Sequence, residues 1–416
     1  MRAYKHWSVE KGGARLQRMS MRAILVCIGL SVVLGVSYGL FLAQPSQKTP
    51  SAVAPAQVAD EPTYISVQGR YLLNGTIFWG RGIEKWSALS GGGYDYAQPF
   101  SGLQTFERDK YDAWVADLEC PVMDIVIPYV VQERSLQFNC RPEYLPEAAK
   151  YFDIINLANN HSGDKGEEGF EETRRRVTDA GMQVYGHYDP GVEEDRCEVI
   201  ALPVRLKDMP GYEDEATLPV AFCAYHYFGR MPRDGELAHI RQYSDVMPVF
   251  AFVHMGTEYL PQADVGQVAV ARAVIDQGAE FVVLNNPHWV QNTEVYRGKL
   301  IFYSTGNFIF DQLDKEGTRS ASLDVTMDIP YDNMVKKWIK LGVACEAKKL
   351  HDQCFSAAKQ QKLKKVTPKL TFDVVAGDNS GRLTKRADPT VQAAIEQRTN
   401  WADTLQKLGQ SSAANN

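Results

Sequence analysis

Residues 152–170 read FDIINLANNHSGDKGEEGF. The apolar run Phe152 to Ala158 stops at Asn159-Asn160-His161, and helical spacing begins soon after. Phe170, Thr173, Val177 and Ala180 recur three or four residues apart, and Gly181 supplies the stop. A short strand, a polar turn and an amphipathic helix make up the repeating unit of an α/β fold. In that fold ligands collect at the carboxyl ends of the strands.

The unit recurs on both sides. Trp114-Val115-Ala116 runs into Asp117 and Glu119, Val220 to Tyr225 reads as a strand, and Val249 to Val253 runs straight into His254. Val265, Val268, Arg272 and Ile275 mark a helix that Gly278 ends. Phe281 to Leu284 is followed by Asn285 to His288, and Leu300 to Tyr303 is a further strand. A histidine after one strand is usually a hydrogen-bonded loop residue. Four strand ends that each offer Glu, Asp, Asn or His have the pattern of one convergent site, suited to a metal ion.

The formal net charge of the 416 residues is −6, unevenly spread. Residues 1–22 hold six basic groups and one acid, and residues 23–43, AILVCIGLSVVLGVSYGLFLA, hold no charge. Twenty-one such residues at about 1.5 Å each span roughly 30 Å, the thickness of a bilayer core. The basic flank places residues 1–22 in the cytoplasm and the main domain outside. A cleaved signal peptide is the alternative, but its apolar region is usually shorter. Residues 44–62 are rich in Pro and Ala and read as an extended linker. The rest of the chain is acidic, the reverse of what a nucleic-acid binder shows, so nucleic acid is excluded as a partner.

Six cysteines follow the apolar segment: Cys120, Cys140, Cys197, Cys223, Cys345 and Cys354. Outside the cell an even number suggests disulfides. Cys345 with Cys354 is the best pair by proximity, and Cys120 with Cys140 and Cys197 with Cys223 is the simplest completion. Buried unpaired thiols remain the alternative.

Leu157-Ala158-Asn159-Asn160-His161, followed by Asp164, Gly166, Glu167, Glu168 and Gly169, resembles the LANNH-x-x-D-x-G-E-E-G run of the CapA family of poly-γ-glutamate capsule biosynthesis proteins. Asp117-Leu118-Glu119 is similar to that family's N-L-E, and His254-Met255-Gly256-Thr257-Glu258-Tyr259 to H-W-G-x-E-Y. Pro287-His288 with Val290-Gln291 is similar to the end of G-H-H-P-H-V-x-Q. Tyr303 to Asp311, YSTGNFIFD, is similar to Y-S-L-G-N-F-x-F-D. The resemblance spans residues 63 to about 330. It implies a metallophosphoesterase-like, layered α-β-β-α sandwich, here preceded by one transmembrane helix. The domain is expected over 63–390, with a C-terminal helix and tail over 391–416.

By that resemblance Glu119 would bridge metal ions, with Asn160, His254 and one of Asn285 or Asn286 as ligands of one ion and His288 left for the other. His161 would act as the acid, oriented by Asp164, and Arg81, Asn159 and Glu258 would contact substrate. An ordinary salt bridge is the other reading of Arg81. Two departures weaken the metal set. Thr76 stands where the family carries a ligating Asp, and Asn285 and Asn286 replace two histidines. A neutral amide is a poor ligand for Mn, Fe or Zn. The expectation is at most one loosely held divalent ion, or none.

Residues 336–369 hold ten Lys against Glu346 and Asp352. This stretch reads either as a contact for an anionic polymer or lipid headgroups, or as a solvated helical face. Val391 to Leu408 reads as an amphipathic helix and Gly409 to Asn416 as a frayed tail. Two functions follow from the resemblance. One is a membrane-anchored, extracytoplasmic protein that makes, exports or attaches an anionic surface polymer of the poly-γ-glutamate type, alongside subunits of a polymer synthase. Its chemistry would be hydrolysis or transfer at a phosphoester or γ-glutamyl bond. The other is a non-catalytic polymer-binding or scaffold subunit on a degenerate phosphoesterase fold.

Overall fold

The computed structural model describes residues 63–208, 213–348 and 351–414. The expected cytoplasmic tail 1–22, membrane helix 23–43 and linker 44–62 lie outside the described residues. The chain divides into Met1–Asp60 and Glu61–Asn416, and the fold described here is that of the second unit. Among the described residues no helix is long and apolar enough to cross a membrane.

In chain order the strands are β1 (Tyr64–Ile77), β2 (Ala113–Leu118), β3 (Ile154–Asn156), β4 (Gln183–Tyr185), β5 (Cys197–Asp208), β6 (Glu213–His226) and β7 (Val249–His254). They continue as β8 (Phe281–Asn285), β9 (Thr293–Tyr296), β10 (Lys299–Phe302), β11 (Asn307–Ile309), β12 (Arg319–Pro330), β13 (Lys369–Asp378) and β14 (Lys385–Arg386). The expected two-sheet layering takes the form of one branched network. The main path runs β14-β13-β12-β1-β5-β6-β7-β8-β10-β9, while β11 and the β2-β3-β4 arm leave it at β1.

β1 is the branch because its two halves differ in character. From Ser66 to Arg70, Val67 and Gly69 are buried while Ser66, Gln68 and Arg70 are only partly so, the alternation of a one-sided strand, and Tyr64–Gln68 pairs with β5. From Tyr71 to Ile77 every residue is buried. That half pairs with the parallel β2 and, at Thr76 and Ile77, with the parallel β11. Gly75 lies at this crossing, where a Cβ would sit 2.0 Å from the Gly306 carbonyl oxygen.

The parallel strands carry the site. Register sets Thr76 beside Asp117 and Asn307, and sets His226, His254 and Asn285 side by side on β6, β7 and β8. Helix Gly166–Asp179 buries Gly169, Phe170, Thr173 and Val177, the face its spacing predicts. Helix Val265–Asp276 is turned differently. It buries Gln267, Val270, Ala271, Val274 and Ile275 and leaves Val265 90% exposed. Gln267 faces inward because its amide donates to Gln291 Oε1 (2.9 Å) and to the Tyr303 carbonyl (3.0 Å).

The cysteines pair as Cys120–Cys140, Cys197–Cys223 and Cys345–Cys354. The C-terminal segment differs from the single helix and frayed tail expected. It forms two helices, Pro389–Thr399 and Trp401–Ala414, separated by Asn400 in the left-handed region (φ 56°). Gly409 lies within the second helix, which packs Trp401 into the core.

Candidate functional site

Three polar groups of side chains meet at the carboxyl ends of the strands. The first is built on Asp117, which is buried at the end of β2. Its Oδ1 accepts from Asn159 Nδ2 (2.9 Å), and its Oδ2 faces His254 Nδ1 (2.8 Å). With the His254 proton on Nδ1, Nε2 presents a lone pair to Asn160 Oδ1 at 2.9 Å. Two lone-pair atoms at that distance call for a proton or a cation between them.

Asn159 is fully buried, and its amide is spent inside the protein. It donates to Asp117 and to the Leu118 carbonyl, and it accepts from the backbone N–H groups of His161 and Ser162. It shapes the turn, and the expected substrate contact at this position is replaced by that role.

The second group is His161 with Asp164 and Glu119. His161 Nδ1 lies 2.9 Å from Asp164 Oδ2, which also accepts the Phe138 N–H at 2.5 Å. The Phe138 ring stacks on the imidazole with centroids 3.8 Å apart. Both sides of His161 are therefore fixed, and its Nε2 lies 3.9 Å from Glu119 Oε1. Glu119 is 1% exposed, and its Oε2 has no hydrogen-bond partner. Burial first, then the Asp117 carboxylate, push the Glu119 carboxyl well above its usual range, against the pull of Arg81.

The third group is His288 with Glu258. His288 Nδ1 bonds Asn307 Oδ1 at 2.9 Å, its Nε2 is 3.8 Å from Glu258 Oε1, and its ring lies parallel to that of Tyr259. Burial drives its pKa down to about 4, with His254, Arg81 and His161 adding to the fall against the Asn307 bond. Register ties this group to the first, since Thr76 pairs with both Asn307 and Asp117.

Arg81 pairs with Asp311 at 2.5 Å, and its guanidinium lies over the rings of Phe78, Phe138 and Phe310. The salt bridge is present, but it is largely shielded rather than exposed. Asn285 Oδ1 accepts the Thr305 hydroxyl, and Asn286 donates to the Gly256 carbonyl at 2.6 Å. Sequence reasoning passed over Asp117 as the partner of His254. It also passed over Phe138, Asn307, Asp311 and His226. Asp117, Asn307 and Asp311 lay inside quoted motifs, whereas Phe138 and His226 did not.

The donor chemistry argues against a two-ion metal centre of the phosphoesterase kind. Thr76 brings no carboxylate, Asp117 and His254 satisfy each other, and the side chains of Asn285 and Asn286 are engaged elsewhere. Among the described residues no three His, Cys, Asp or Glu side chains are grouped to hold a metal ion. Glu119 Oε2 is buried without a hydrogen-bond partner. The residues do not fit a two-ion set.

A mixed α/β sheet with a polar cleft at its parallel strand ends defines the class. Among solved structures the chain is similar to a calcineurin-like phosphoesterase of Bacillus subtilis, at 10% identity and a TM-score of 0.42, covering 82% of this chain and 99% of that one. Residues 70–312, more than half of the sequence, match the bacterial capsule synthesis protein family PGA_cap, and the chain belongs to that family. It is 27% identical over 247 residues to the PGA biosynthesis protein CapA of Bacillus subtilis, covering 57% of this chain and 62% of that protein. It is 30% identical over 178 residues to the capsule biosynthesis protein CapA of Bacillus anthracis, covering 39% of this chain and 41% of that protein. The chain thus spans less than two thirds of either relative.

Proposed function

We propose that this protein is a membrane-anchored, extracytoplasmic factor in the synthesis, export or attachment of an anionic surface polymer of the poly-γ-glutamate type, and that the cleft receives a segment of that polymer. Subunits of the polymer synthase are the protein partners this reading implies. The observation that carries it is the fixed pair His161–Asp164 facing the buried Glu119, in a chain of the capsule synthesis family. The chemistry is hydrolysis or transfer at a γ-glutamyl or phosphoester bond. In γ-glutamyl hydrolysis, water adds its hydroxyl to the acyl carbon. His161 takes the other proton of that water; the acyl C–N bond then breaks and the amine leaves with this proton from His161, whose ring Asp164 and Phe138 hold in place. Glu258, on the rim beside His288, faces the incoming chain. A divalent ion, if one bound, would be held weakly, with Glu119, Asn160 and His254 as the residues to hold it, and would supply charge stabilisation to the reacting group.

A second reading, a polymer-binding scaffold without catalysis, draws on Thr76 and on the mutual satisfaction of Asp117 and His254. One experiment separates the two. The purified full-length protein is assayed for metal content and for release of new amino termini from γ-glutamyl oligomers, with and without added Mn, Fe or Zn. The first reading expects release that falls at least about a hundredfold in His161→Ala, with oligomer binding kept. No release under any metal, with binding intact in His161→Ala, establishes the scaffold.

A further inference from the structure

Residues 336–369 lie outside the span that the family shares. In the fold they form most of a stapled pair of helices, Asn333–Lys348 and His351–Gln360, joined by Cys345–Cys354. Val335, Trp338, Ile339, Leu341, Cys345, Cys354, Ala358 and Leu363 are buried, and the first helix packs on the β5–β6 hairpin. Gly342 sits where a Cβ would meet the Thr217 carbonyl oxygen at 2.3 Å, so this helix lies directly on β6. The Trp338 indole N–H donates to the Lys364 carbonyl at 2.8 Å and fixes the segment that follows.

Lysines cover the outer side. Lys337, Lys340, Lys359, Lys362 and Lys364 are exposed, and among the described residues none of them has a carboxylate partner. Lys359 makes only a contact over the Phe355 ring. Elsewhere among the described residues Lys110, Lys150, Lys207 and Lys299 each sit on a carboxylate, while Lys85, Lys165, Lys315 and Lys385 are unpaired but scattered along the chain. Lys365 marks the inner margin, where with Lys299 it neutralises the buried Glu280 at the start of β8. β8 ends in the cleft at Asn285, roughly 17 Å further on. The lysines therefore lie toward the opposite end of the strands from the cleft, beyond the reach of a small substrate.

We propose that this stapled helical pair is a second docking surface, for a polycarboxylate chain that also reaches the cleft. The proposal rests on the polymer reading given above. A rigid row of unpaired ammonium groups matches a flexible chain of carboxylates, and two contacts on one chain raise its effective affinity. A lipid surface fits less well. Membrane-surface helices set aromatic and large apolar side chains beside their lysines, whereas here Trp338, Leu341 and Leu363 are buried and Val343 alone among the large apolar residues of the first helix is half exposed.

The test uses the full-length protein in detergent and fluorescent polyglutamate, with anisotropy read across a salt series. The variants are Lys337→Gln/Lys340→Gln/Lys362→Gln/Lys364→Gln and, separately, His161→Ala. The lysine variant should melt as the parent does, since its changes are at the surface. It should bind the long polymer about tenfold more weakly at low salt, with a shallower salt dependence. Unchanged polymer affinity in the lysine variant overturns the proposal. So does loss of binding to anionic phosphatidylserine vesicles with polymer binding kept, which would reassign the surface to the membrane. Polymer affinity kept in the lysine variant, together with product release lost in His161→Ala, overturns this surface and leaves the cleft reading standing. Affinity lowered in the lysine variant with no product release from the parent keeps this surface and removes the catalytic reading of the cleft.

Discussion

His226 ends β6 beside His254, and its two nitrogens differ in their surroundings. Nδ1 gives its proton to the Tyr188 carbonyl at 2.7 Å, while Nε2 is buried without a partner. Burial, reinforced by His254, lowers its pKa to about 4. The sign of the linkage follows. Between pH 6.5 and 4 the unfolded chain takes a proton that the folded chain refuses, so stability falls as pH falls through that window. At pH 5 the deficit from this one group is about 2 kcal/mol. His226→Gln keeps a donor and cannot titrate. Urea unfolding at pH 7 and pH 5 should show the difference between the two pH values shrink by about that amount relative to the parent. An unchanged difference would place the buried charge penalty elsewhere. The same fixed geometry bears on the chemistry, because a neutral His226 adds no positive charge against His254 in the cleft.

At the scale of elements, helix Val265–Asp276 ties the site loop to the core. Asp264 closes a reciprocal capping box with Gln267, and its second oxygen accepts both the N–H and the hydroxyl of Thr257 at 2.9 Å. Thr257 precedes Glu258, so one carboxylate fixes the helix start and the loop that carries a cleft residue. Burial works against the charge on Asp264, but the bonds from Gln267 and Thr257 outweigh it and hold its pKa below the ordinary value. Asp264→Ala should therefore cost about 1–2 kcal/mol at neutral pH. The loss should fade as pH falls below the normal carboxyl range, where the parent also gives up the bonds. Chemical denaturation over a pH series reads both effects, and a cost that persists undiminished in acid would assign it to packing. The elements most legible in the sequence are those whose signal is local. The strand Ile154–Asn156 and helix Gly166–Asp179 announce themselves through one apolar run and one helical period. β1 does not, because its alternation gives way to continuous burial where it passes between arms of the sheet. Phe138 was not legible either. Its contact with His161 depends on how the loop closed by Cys120–Cys140 folds back, and no periodicity encodes that. The inward face of Val265–Asp276 was misread because a glutamine, Gln267, takes a core position through its hydrogen bonds.

At the scale of the whole molecule, the C-terminal helices hold the two ends of the sheet. Helix Pro389–Thr399 packs on β13, near one end of the strand order, and helix Trp401–Ala414 packs on β9 at the other. At the β13 side, Gln392 accepts the Ala376 N–H and donates to the Val374 carbonyl, both at 2.8 Å, supplying partners to the strand's outer edge. At the β9 side, the Thr293 hydroxyl bonds the Thr399 carbonyl at 2.7 Å and the Thr404 hydroxyl at 2.6 Å. Ile395 and Trp401 are 2% and 3% exposed, so the segment contributes to the core. A sheet with unpaired outer strands is a template for association. A chain ending at Asp388 loses the burial of these two side chains, about 5 kcal/mol together by analogy with large-to-small core changes, and exposes both strands at once. It should melt more than about 5 °C below the full chain and elute as larger species in size-exclusion chromatography. If that shortened chain keeps the parent melting temperature and stays monodisperse, the two helices are an appendage and the sheet is complete without them.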